Sequence, residues 1–84
     1  MDKVEAYKIL IQELESIAKE PADSLVEFVG SSLETENVTQ SGKHYSISVR
    51  VSQKNEKTFL LEGNIHDNDS FKYERLEEKI EVQK

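Results

Sequence analysis

The residues best suited to chemistry lie together in one short stretch. Between Gly63 and Phe71 the sequence reads GNIHDNDSF, which gathers His66, Asp67 and Asp69 with Asn64 and Asn68 into six residues. An imidazole beside carboxylates can serve two kinds of chemistry, metal ligation and proton transfer. A transition-metal site needs three or four converging ligands, and the only other imidazole is His44. The stretch also lacks the Gly and the terminal Glu of an EF-hand loop. For nucleophilic catalysis, Ser46 or Ser70 could be combined with His66 or His44 and with Asp67, but no nucleophile-elbow pattern surrounds either serine. The adjacent acids Asp67 and Asp69, or Glu77 and Glu78, have no evident cleft to drive their pKa values apart. Gly30, Gly42 and Gly63 are isolated and form no phosphate-cradling loop. No catalytic residue, metal ligand or cofactor site is therefore assigned. Asp and Asn hydrogen-bond their own backbone and tolerate left-handed conformations, so the cluster reads as the polar tip of a hairpin.

The elements that would carry these residues come from a chain of modest means. Its 84 residues, 36% apolar and 33% charged, suit one domain over 1–84 with a small core. Without cysteine, neither a disulfide nor a thiolate metal site can staple it. Met1 is followed directly by Asp2 and a helical pattern, with no signal-like region and no apolar run near the ~20 residues that span a bilayer. The expectation is a soluble, cytoplasmic protein. A net charge of -6 disfavours nucleic acid and anionic membrane as partners.

Asp2 is placed to cap a helix over 2–20, in which Val4, Tyr7, Ile11, Leu14 and Ala18 recur at helical spacing and Leu10 and Ile17 widen the stripe. Pro21 starts a second, short helix over 21–30, with Leu25, Val26 and Val29 on one side and Gly30 ending it. From Leu33 the apolar period changes to two. Strands are expected over about 33–40, 43–53, 57–65 and 70–76, with 77–84 a short last strand or a frayed tail. In the clearest of them, Tyr45, Ile47, Val49 and Val51 alternate with His44, Ser46, Ser48, Arg50 and Ser52. The fold class is α+β: two N-terminal helices on one face of a four- to five-stranded antiparallel meander.

That layout leaves the other sheet face wet. Residues 43–59 carry Lys43, Arg50, Lys54 and Lys57 against Glu56, but serines rather than stacking aromatics interleave them, which argues against a nucleic-acid surface. The candidate binding residues are His44, Ser46, Ser48 and Arg50 on this face, with His66 and Asp67 at the turn.

The order of PADSLVEFVG, SGKHYSISVRV and GNIHDNDSFKYERLEEKIEV resembles a family of small bacterial proteins of unknown function. Members have a leading helix, a short helix between a proline and a glycine, a Gly-bounded hairpin and a late GSIDDGGW-like segment. Gly63, Ile65 and Asp67 keep that late pattern, whereas His66, Asn68, Asp69 and Phe71 depart from it. The resemblance implies the α+β layout over roughly residues 5 to 82 and brings no activity with it.

The sequence is thus read as a non-enzymatic binding or regulatory module whose partner is another protein or a second copy of itself. An acidic, immunity-like or antitoxin-like protein that neutralises a basic partner is one concrete form of this. The alternative is a small-ligand or metal-binding protein built on residues 64–70. It requires His66, Asp67 and Asp69 to converge with His44 or Glu62 in a concave pocket.

Overall fold

A computed structural model describes residues 1–68 and 74–84. The order is α1 (Lys3–Ala18), α2 (Ala22–Phe28), β1 (Ser32–Val38), β2 (His44–Asn55), β3 (Thr58–Asp67) and β4 (Arg75–Gln83). The strands form one antiparallel sheet in the order β1-β2-β3-β4, each paired with its sequence neighbour. α1 lies along β3 and β4, and α2 meets β2, so both helices cover the same face. The architecture is α+β, with four strands among the described residues.

Asp2 caps α1 as expected, its Oδ1 accepting the Glu5 amide at 3.1 Å. The buried stripe of the helix differs from the expected one. Ala6, Leu10, Leu14 and Ile17 enter the core, while Val4 and Tyr7 are 67% and 43% exposed. The apolar stripe is wider than the strip of sheet beneath it, so the helix settles on its middle and leaves one flank uncovered. In α2 only Leu25 is fully buried; Val26, and Val29 just past the helix end, are exposed. A seven-residue helix resting on one strand has a single side to bury.

Closeness between α1 and the sheet depends on Gly63. A Cβ there would stand 2.9 Å from Leu14 Cδ2 and 3.0 Å from Leu10 Cδ1, inside van der Waals contact. Around it Tyr45, Ile47, Val49 and Val51 of β2 and Phe59, Leu61 and Ile65 of β3 complete the core, as their alternation predicts.

Turns follow backbone chemistry. Gly42 takes φ +86° between β1 and β2, and Gly30 takes φ +84° after α2. The Glu56–Lys57 turn between β2 and β3 contains no positive φ, so it cannot be a primed hairpin turn, and the register shifts between Gln53 and Asn55 to absorb the mismatch.

One expectation about the late chain is corrected: β3 does not stop at residue 65. It continues through His66 and Asp67, because the ladder to β2 holds in the pairs Ser46 with His66 and Tyr45 with Asp67. Of the two forms considered for 77–84, the chain takes the strand: Arg75–Gln83 pairs with β3 along its length, and Leu76, Ile80 and Val82 pack against the core. Most of the strand expected over 70–76, and Asp69 and Ser70 of the candidate turn, lie outside the described residues. Among the described residues no helix is long and apolar enough to cross a membrane.

Candidate functional site

β2 presents His44, Ser46, Ser48 and Arg50 on the sheet face that the helices leave open, because the intervening Tyr45, Ile47, Val49 and Val51 point into the core. Registry on both sides then decides their neighbours. Ser46 lies between Glu36 of β1 and His66 of β3, Ser48 between Glu34 and Asn64, and Arg50 between Ser32 and Glu62. β4 extends these rows with Arg75 beside His66, Glu77 beside Asn64 and Lys79 beside Glu62. Five of the six candidates, His66 included, share this face.

Asp67 does not share it. As the strand residue after His66 it points to the helix side, where it sits opposite Tyr45 and 3.7 Å from the Met1 amine, which also meets Glu74 at 3.2 Å. A set of Ser46, His66 and Asp67 is therefore divided by the thickness of the sheet. Among the described residues no three His, Asp or Glu side chains are grouped so as to hold a metal ion.

Hydrogen bonds knit the open face together. The Ser32 and Ser48 hydroxyls are 2.9 Å apart, and both reach Glu34 Oε1, at 3.0 and 3.1 Å. The Asn68 amide donates to Ser46 Oγ at 2.6 Å, and Lys79 lies 3.8 Å from the Glu62 carboxylate. Between these groups is a shallow hollow of about 200 Å³ lined by Ser32, Ser48, Arg50, Glu62, Asn64 and Lys79. Sequence reasoning does not single out Ser32, Glu34 or Lys79, and it names Glu62 and Asn64 only in connection with the 64–70 cluster. Their alternation is visible there, but the cross-strand register that places them beside Ser48 and Arg50 is not.

The displaced titrations lie on the helix side. Burial and a 3.1 Å hydrogen bond to Glu5 push the Tyr45 phenol up to about 12. The Tyr7 hydroxyl donates to Glu78 at 2.7 Å, a bond that raises the phenol and lowers the carboxyl. Both bonds join α1 to the sheet and belong to the architecture rather than to the open face.

No family model, curated protein or solved structure matches the chain, so a functional reading rests on this geometry.

Proposed function

We propose that the chain is a non-enzymatic protein-binding module whose contact surface is the open face of the sheet. The observation that carries this is the sidedness of the fold: both helices lie on one face, and the described residues put no layer over the other. The open face is broad, shallow and polar, with serine hydroxyls, acids and bases alternating across its strands. A surface of that kind suits the polar, shape-matched contact of another protein better than the enclosure of a small molecule. The acidic β1 rim, Glu34 and Glu36, and the net charge of -6 would favour encounter with a basic partner.

The test compares two baits in cells that produce the protein. Wild type and the double variant Glu34→Lys, Glu36→Lys differ only at exposed side chains that face Ser48 and Ser46, so the variant reverses the charge a basic partner would meet and is expected to melt within about 1 kcal/mol of wild type. A protein retained by wild type and lost by the variant supports the open face as the contact surface. Identical retained sets would remove it.

A further inference from the structure

We propose that β4 is a self-recognition edge, through which two copies of the chain pair antiparallel and join their sheets into one of eight strands. This surface is distinct from the open face, and either reading can fail without the other.

Backbone bonding fixes which groups β4 offers. The Asp67 amide donates to the Glu74 carbonyl and the Lys84 amide donates to the Lys57 carbonyl. Even-numbered residues of β4 therefore turn their backbone groups toward β3, and odd-numbered residues turn theirs outward. The outward set is Arg75, Glu77, Lys79, Glu81 and Gln83, a strand of alternating charge sign. In agreement, the Lys79 amide is met only by its neighbour's side chain, Glu78 Oε1, at 3.0 Å among the described contacts.

That alternation is self-complementary in one register. Pairing two copies about Glu78 sets Arg75 opposite Glu81 of the second copy and Glu77 opposite its Lys79, each twice by symmetry. Moving the centre to Glu77 or Lys79 instead opposes like charges. Centring on Ile80 keeps only the Lys79 and Glu81 pairs. Opposite charges directly across a ladder stabilise it and like charges oppose it. The one unfavourable contact of the chosen register is Glu78 against its own copy, and each of those carboxylates already accepts a Tyr7 hydroxyl. The other edge is built differently. Any register pairing five or more residues of β1 with its copy sets Glu34 or Glu36 against a like charge, the protection expected of an edge that must stay single.

The helix layer supplies a second, independent observation. Val4, 67% exposed, and Tyr7, 43% exposed, form an apolar hollow with Leu76 on the flank of α1 that borders β4, rimmed by Lys3 and Lys8, whose long stems can cover apolar surface while their ammonium groups stay in water. Strands lie about 4.8 Å apart, so a helix that seats over Gly63 of β3 and also meets β4 is about 5–7 Å from the new two-fold axis. The two copies of α1 would run about 10–14 Å apart, close enough for the long side chains on their facing flanks to meet. The same register brings Leu76 over Ile80 of the second copy, and the exposed flank becomes interior. Glu77 would then exchange backbone bonds with Lys79 of the second copy, replacing the Glu78 side chain at the Lys79 amide.

Sedimentation of the full chain tests this at concentrations up to about 1 mM, where even weak self-association registers. Wild type is expected to dimerise reversibly. Glu77→Lys and Lys79→Glu, each exposed and each checked for a native circular dichroism spectrum, are expected to be monomeric, since each opposes like charges in its own dimer. Mixed together they should form a one-to-one heterodimer, because both central pairs of the register then set a lysine of one variant against a glutamate of the other. A monomeric wild type, an association that survives Glu77→Lys, or two variants that stay apart when mixed would each overturn the proposal. A monomeric wild type would leave the open-face bait comparison unaffected.

Discussion

Gly63 shows how much one absent side chain decides. It lies in a central strand beneath Leu10 and Leu14, both fully buried, whose tips an added methyl group would meet at 3.0 and 2.9 Å. Gly63→Ala should cost about 1–3 kcal/mol through overpacking, read as a fall in the urea midpoint without a change in slope. Combined with Leu14→Ala, it should cost less than the sum of the two, because the smaller partner makes room for the methyl group. Tyr45 gives a residue-scale prediction in pH. Its phenol titrates higher in the folded protein, near 12 against an ordinary value of 10.0, so folding favours the protonated form. The resulting stability is complete below pH 10.0 and disappears as pH rises through about 12. Its full size is on the order of 2–3 kcal/mol. Tyr45→Phe should lose the bond to Glu5 at neutral pH, about 1 kcal/mol, and should show a shallower loss of stability over the alkaline range.

Among the elements, β4 is the one its sequence leaves between a short last strand and a frayed tail. Leu76, Ile80 and Val82 alternate inward and β3 supplies a full ladder, so the strand forms. The direction of its backbone bonds makes a sharp prediction for amide exchange in dilute solution. Leu76, Glu78, Ile80 and Val82 should exchange slowly, and Glu77, Lys79 and Glu81 quickly, because only the even-numbered amides face β3. Uniform fast exchange across 75–83 would show that the strand is not formed. Slow odd-numbered amides appearing only in concentrated solution would be the signature of the edge pairing proposed above.

For the molecule as a whole, sidedness dominates. A domain of 84 residues has a stability of about 4–13 kcal/mol, and among the described residues the buried apolar side chains lie in the single layer between α1, α2 and one sheet face. Removing residues 75–84 would strip β3 of one of its two partners and uncover one side of that layer. The shortened chain is expected to lose its cooperative thermal transition, and a sharp melt would show that three strands suffice. The open face bears little of this load.

Much of the molecule follows from short-range pattern. Helical spacing from Val4 to Ala18, the cap at Asp2, the break at Pro21 and the strict alternation from His44 to Ser52 each record a local backbone preference, and all of them appear in the fold. What sequence alone left open was decided by contacts between distant segments. The stripe of α1 admitted more than one rotation, and the choice of Ala6, Leu10, Leu14 and Ile17 came from how the helix seats over Gly63. His66 and Asp67 looked like neighbours in a polar cluster, but extension of β3 sent them to opposite faces. Glu34 stands beside Ser48, and Glu62 beside Arg50, only because of the register of three strands. Periodicity identifies which residues share a face of one element. Which elements meet, and at what register, is a property of long-range pairing, and in this protein the composition of the exposed surface depends on it.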